Sequence, residues 1–497
     1  MGSAGWVDAV TVFEVAIGPG QAPGSFIVEV VRSAAGEASA VVELDAEALL
    51  ARRRDLQRVV LASAVGTRRL LPETEQIVRD AGRELFAALL GCGDVAGRYR
   101  ASAAVAAERG KGLRVVLRTG TAALAGLPWE AMYDDVAGAY VCRHEQLVRH
   151  VPVASVPAPL EVRPPLRILG VVSSPRGLSA LDADREGDLL ATALARLAAD
   201  GLAELHWAES ATWDDLHDLL LGGQWHVLHF IGHGDFDPAQ DEGVLALTGP
   251  GGRADFIEAH RFTDLLRQAR PMLRLIVLNS CSGAAIGASD LFSGTAVSLV
   301  RGGVSAVTAM QFQISDTAAV AFTRGFYSAL AHGRDIDDAV SSGRIAIVGT
   351  SSHTLEWLTP VLYLRGDRTQ LFARTESPSR PTPGPDSGGS GRAAPLAPDG
   401  DARNGDSQYA AAWSHSQLAG ALRMQGRYRE AETAAREAIR LDPANAWAHN
   451  WLSAALLDLG RYREAETAAR EAIRLDPANA WGHSQLGDVL HAMSQHR

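Results

Sequence analysis

The chain has 497 residues, 47% of them hydrophobic and 21% charged, and a formal net charge of -11. That length exceeds a single hydrophobic core and predicts two to four domains of about 100 to 200 residues each, while the balance of apolar and charged side chains excludes a globally disordered chain. With one lysine, Lys111, and no basic block, the acidic balance also excludes a general nucleic-acid binder, because neutralising phosphates takes clustered cations.

The first residues, MGSAGWVDAVTVFEV, lack a basic region followed by a long apolar stretch, and no run of about 18 uncharged apolar residues occurs. A cytoplasmic protein without membrane contact is expected. Strands are predicted at VTVFEVAIG, FIVEVVRS and LRVVLRT, with a helix at ETEQIVRDAGRELFAALLG. Residues 1–155 are read as a smaller α/β part packed on the main domain.

From 156 to 375 apolar runs alternate with helical patterns. LRILGVVSS, WHVLHFI, LRLIVLNS and VSAVTAM read as buried strands, and LLATALARLAADG, WDDLHDLLLGG and AVAFTRGFYSALAHG as amphipathic helices. Strand and helix in turn predict an α/β domain with a mostly parallel sheet flanked by helices. Residues 376–408 are dense in Pro, Gly, Ser and Asp and read as a disordered linker. Beyond it, GRYREAETAAREAIRLDPANAW occurs twice, identical, with a period of 34 residues, which is the tetratricopeptide (TPR) signature. Small residues fall where paired helices must touch: Ala419, Ala431, Ala438, Ser453, Ala465 and Ala472. Residues 409–497 are thus an all-α TPR solenoid with a capping helix, a surface for protein partners.

Parallel sheets bind ligands at the carboxyl ends of their strands. His233, in VLHFIGHGDFD, follows one predicted strand, and Cys281, in LIVLNSCSGA, follows another. A thiolate is a strong nucleophile, and a nearby imidazole can both generate it and protonate a leaving amine. The backbone N–H groups of Gly234 and Cys281 are the natural donors for an oxyanion. Cys92, Cys142 and Cys281 fit neither a disulfide framework nor a CxxC metal site.

IGHG (231–234), NSCSG (279–283), LPWEAMYDD (127–135), GGVSAVTAMQFQISDTAAVAFTRGFYSAL (302–330) and WLTPVLYLRG (357–366) together resemble a CHAT domain. The resemblance implies a caspase-like cysteine protease of the clan of caspases, metacaspases and separases, a family commonly fused to TPRs. It implies a dyad in which His233 is general base and acid and Cys281 the nucleophile. It also points to cleavage of a specific protein partner in bacterial defence or programmed cell death. A catalytically silent scaffold that recruits proteins, or a thiol hydrolase acting on another substrate, are the competing readings.

Metacaspases place an acid two residues before the cysteine, where this chain has Asn279, so the attraction of the pocket for Arg is reduced; Asp235 and Asp316 are the remaining candidates for pocket charge. DADREGD (182–188) imitates the start of a calcium loop but lacks the glutamate at its twelfth position, where Ala193 stands, and is read as the acidic start of a helix. His229, inside a strand, reads as a core histidine. No phosphate loop of the GxxxxGK type exists, and no metal or cofactor is expected.

Overall fold

The computed structural model describes residues 10–64, 72–178, 183–237, 242–279, 293–351, 353–374, 415, 419, 422–423, 427–475 and 480–495. Two units form, Met1–Pro381 and Thr382–Arg497.

In the first unit, among the described residues, the main sheet has eleven strands. In chain order they are β1 (Thr11–Pro19), β2 (Ser25–Arg32), β3 (Ala38–Glu43), β4 (Leu113–Thr119), β5 (Gln146–Val151), β6 (Leu166–Val172), β7 (Ala203–Trp207), β8 (Val227–Ile231), β9 (Leu275–Asn279), β10 (Ala306–Met310) and β11 (Pro360–Arg365). Their order across the sheet is β7-β6-β8-β9-β10-β11-β5-β4-β1-β2-β3. Neighbours run parallel except at β10/β11, β1/β2 and β2/β3.

Every residue of β8 (VLHFI) and β9 (LIVLN) is buried. Successive side chains point to opposite faces, so each strand feeds two cores. Val227, Ile231, Leu275 and Val277 join the core on one face; Leu228, Phe230, Ile276 and Leu278 join the core on the other. Each such side chain contributes about 1.5–3 kcal/mol by burial. The main helices of this unit are α1 (Pro72–Leu89), α2 (Gly93–Glu108), α3 (Ala183–Ala199), α4 (Trp213–Gly222), α5 (Ala259–Leu266), α6 (Ser293–Gly302), α7 (Asp316–Ala331) and α8 (Ile336–Val348). Helix α7 puts Phe322, Phe326 and Tyr327 into the first core, while α5 and α6 put Phe262, Leu265, Leu299 and Val300 into the second.

The N-terminal strands do more than pack on this sheet: β1 to β5 extend it edge to edge, through the parallel pairing of β5 with β11. A buried polar network fixes that junction. Arg149 on β5 forms an ion pair with Glu130, which is fully buried in the LPWEAMYDD segment. The Arg149 guanidinium also donates to the carbonyls of Ala125 (2.6 Å) and Leu127 (3.1 Å). Gln311, just after β10, donates to Glu130 (3.1 Å) and to the carbonyl of Leu358 (2.7 Å). Both charges are met by several partners, the condition under which an ion pair survives desolvation.

The second unit contains α9 (Tyr428–Leu441), α10 (Ala446–Asp458), α11 (Tyr462–Leu475) and α12 (Ala480–Gln495). All six small residues picked out by the 34-residue period are buried. Ser453 donates its hydroxyl to the carbonyl of Ala465 at 2.9 Å, where a larger side chain would hold α10 and α11 apart. Arg461 of the second repeat reaches back to Glu432 of the first at 2.7 Å. The predicted linker, 376–408, lies outside the described residues.

Candidate functional site

Strands β6, β8, β9 and β10 run parallel, so Val172, Ile231, Asn279 and Met310 end on one edge of the sheet. Ile231 is paired with Val172 on one side and Asn279 on the other. Their chain positions continue into the two segments singled out by sequence. His233 stands two residues after Ile231 and Cys281 two residues after Asn279.

The segment after β8 is held from both sides. Gly232 donates its N–H to the carbonyl of Asn279 at 3.2 Å, and Ser173 donates its N–H to the carbonyl of Ile231 at 2.8 Å. A Cβ on Gly232 would lie 2.7 Å from the Phe230 ring, so only glycine fits against that ring at this turn. The His233 carbonyl accepts from the Ala246 N–H at 3.0 Å, and the chain continues as a hairpin of Gly234–Asp237 with Glu242–Thr248. His233 is partly exposed. Gly234 pairs with Leu245, and Asp235 is exposed opposite Val244.

Cys281 lies outside the described residues, which resume at Ser293 with α6. That helix abuts the strand that follows the histidine segment. A Cβ on Gly243 would come within 2.1 Å of the Thr295 nitrogen. Helix α6 is thereby packed against the hairpin that follows His233.

Asn279 is buried at the end of β9, and its Oδ1 has no hydrogen-bond partner among the described residues. Asp316 is the first residue of α7, after the N-cap Ser315, and forms an ion pair with Arg185. Its charge is therefore partly answered within the chain. The loop leading to it is anchored by Glu356, which accepts from the Ser315 N–H (2.6 Å) and hydroxyl (2.9 Å). Burial raises the pKa of Glu356, and the Ser315 and Thr354 hydrogen bonds oppose the rise.

His229 is a core residue whose Nδ1 lies 2.9 Å from the Tyr327 hydroxyl, and burial pushes its pKa down to about 3. Cys142 is buried, its thiol donates to the Glu130 carbonyl at 3.0 Å, and burial pushes its pKa up to about 11. Burial also raises Cys92. Neither thiol resembles an activated nucleophile. The DADREGD run enters α3 at Ala183, so its later acids sit on a helix, with Glu186 buried. Among the described residues no group of acidic, His or Cys side chains could hold a metal ion, and no helix is long and apolar enough to cross a membrane.

Comparison with known proteins finds the CHAT domain family over residues 79–421 and a tetratricopeptide repeat family over 422–486. No curated protein matches the chain. Among solved structures, the chain is similar to the second TPR domain of human RPAP3 in complex with an HSP70 peptide. That match has 26% identity, covers 16% of this chain and 66% of that one, and has a TM-score of 0.16. It is also similar to the Arabidopsis OM64 TPR domain (23% identity, 18% of this chain and 73% of that one, TM-score 0.17). A third is the second TPR of Spaghetti (RPAP3) bound to an HSP90 peptide (24% identity, 18% and 85%, TM-score 0.17). The family match spans more than half of the sequence and takes in the β8, β9 and β10 strand ends: the chain belongs to the CHAT domain family, a caspase-like, protease-related family, and here carries tetratricopeptide repeats, a protein-interaction module, after that domain.

Proposed function

We propose that the chain is a regulated cysteine endopeptidase that cleaves a specific protein partner with a dyad of His233 and Cys281. The observation that carries this reading is the register of β8 against β9: Ile231 pairs with Asn279, and each chemistry-bearing residue follows its paired position by two. Adjacent parallel strands that end together offer one crevice to both residues.

The chemistry follows from the residue types. His233 takes the thiol proton of Cys281, and the thiolate attacks the scissile carbonyl carbon. The resulting oxyanion accepts hydrogen bonds from the N–H groups of Gly234 and Cys281. As the C–N bond breaks, His233 returns the proton to the leaving amine, which leaves a thioester on Cys281. Water then gives a proton to His233 and attacks the thioester; the thiolate departs and the acid product is released. No metal or cofactor enters these steps.

In this reading the tetratricopeptide unit recruits the protein substrate or a regulator, the protein works in the cytoplasm, and its role is defence or programmed cell death. The test is to incubate purified wild-type and Cys281→Ala protein with proteins encoded beside it and to follow cleavage by mass spectrometry. A cut made by the wild type and absent from the variant supports the assignment. Equal cutting by a folded variant removes it.

A further inference from the structure

At the opposite edge of the sheet from the crevice, the three neighbouring strands β9, β10 and β11 bring together residues far apart in sequence. Arg274 immediately precedes β9, Ser305 immediately precedes β10, and Arg365 ends the antiparallel β11. Backbone bonds lock them side by side: Ala306 N–H to the Arg274 carbonyl (3.0 Å) and Arg365 N–H to the Ser305 carbonyl (2.9 Å). With Arg368 and Gln370 they line a small cleft, closed on one side by Val156–Ala158. Gly366, at a φ of 72°, turns the chain there; a Cβ on it would sit 2.2 Å from Val156.

Among the described residues, no carboxylate pairs with these three arginines. Arg274 donates to the carbonyls of Met272 (2.9 Å) and Ala158 (3.5 Å), Arg365 to those of Ser155 (3.0 Å) and Arg301 (3.1 Å), and Arg368 to that of Pro157 (3.1 Å). Carbonyls orient a guanidinium without cancelling its charge. No Asp or Glu lines the cleft among the described residues. Two buried donors are left over as well: the Nε of Arg274, and the hydroxyl of Ser305, a residue only 5% exposed. Burial lowers the pKa of both Arg274 and Arg365, and Arg267 adds like charge to the latter. Unpaired buried donors and unopposed cations are costly unless something fills the site.

We propose that Arg274, Ser305, Arg365 and Arg368 form a binding site for a small tetrahedral oxyanion, a phosphoryl group. Converging guanidiniums suit a dianion, their fork geometry matches phosphate oxygens, and the Ser305 hydroxyl supplies a further donor. The cleft is small, so it takes the anionic group and not a whole nucleotide. The five residues of β9 separate it from the crevice by about 16 Å.

The test uses the full chain, with calorimetric titration of inorganic phosphate and, separately, of the amino acid phosphoserine, against sodium chloride at matched ionic strength. Thermal melts accompany each titration, since a ligand of the folded state raises the melting temperature. Saturable binding is expected, weakened about tenfold or more by Arg368→Gln and by Arg365→Gln, as the loss of a charge-assisted hydrogen bond implies. Ser305→Ala, which removes a buried orphan hydroxyl, is expected to fold at least as stably as the wild type yet bind more weakly. Preference for inorganic phosphate marks a free-ion site, and equal or tighter phosphoserine binding marks a site for a phosphoryl group on a larger molecule. No saturable binding of either, or binding that Arg368→Gln and Ser305→Ala leave unchanged, overturns the proposal. None of these readouts depends on proteolysis.

Discussion

Ile231 and Asn279 face each other as the last paired residues of two parallel strands, and the segments that follow them carry His233 and Cys281. Cys281→Ala or His233→Ala is therefore expected to abolish cleavage while leaving the melting temperature within a few degrees of wild type. His233 lies outside the strands that form the two cores. Cys92→Ser and Cys142→Ala serve as controls and are expected to cut normally. Residual wild-type cutting by folded Cys281→Ala, read on a gel, rejects the dyad.

The second expectation concerns the residue before the scissile bond. Asn279 is neutral, buried and has an Oδ1 unpartnered among the described residues, while Asp316 is engaged by Arg185. A neutral or mildly basic P1 residue is expected, and Asn279→Asp should shift a peptide-library profile towards Arg. A profile confined to Asp in the wild type contradicts this.

Buried histidines make stability depend on pH. His229 has a folded pKa of about 3, below its ordinary value of 6.5. His226 is lowered to about 4 by burial and by Arg167, and its Nδ1 accepts the Arg167 N–H at 2.9 Å. Below pH 6.5 the unfolded chain binds protons that the folded chain refuses. The stabilisation from neutral histidine is thus complete above that pH and lost as pH falls towards 3. For His229 the slope is about 1.4 kcal/mol per pH unit. Urea unfolding at pH 7, 6 and 5 checks the direction, and His229→Gln should flatten it.

The Glu130 and Arg149 pair is a structural liability if halved. Arg149→Met leaves the fully buried Glu130 carboxylate facing only Gln311, and a loss of about 3–5 kcal/mol is expected. Replacing both residues by apolar ones of similar size should cost less than Arg149→Met alone. Denaturant midpoints of the single and double variants measure the difference.

The two compact units lead to a fifth test. Residues 1–381 alone are expected to fold and to label at Cys281 with a thiol-reactive peptide, yet to cleave the natural protein partner poorly, because tethered recruitment is lost. A truncated protein that cleaves that partner as fast as the full chain makes the repeats bystanders.

Local pattern made much of this legible. LIVLN and VLHFI are mostly apolar because both faces are covered, and the repeat of period 34 named its own buried alanines. The edge strand β7 was not legible, since of Ala203–Trp207 only Ala203 is buried. Neither was β5, whose Arg149 reads as a surface residue until Glu130 is brought to it from 19 positions away.

The sequence by itself determined the strand and helix periods, the repeat, and the equal two-residue offsets that place His233 and Cys281 beyond Ile231 and Asn279. Only the tertiary structure decided which strands are neighbours. It decided that β1 to β5 continue the main sheet, and that Arg274, Ser305, Arg365 and Arg368 meet at its far edge. Periodicity reports how one segment meets its surroundings, whereas adjacency depends on pairing between segments tens to hundreds of residues apart, a choice made by the packing of the whole chain.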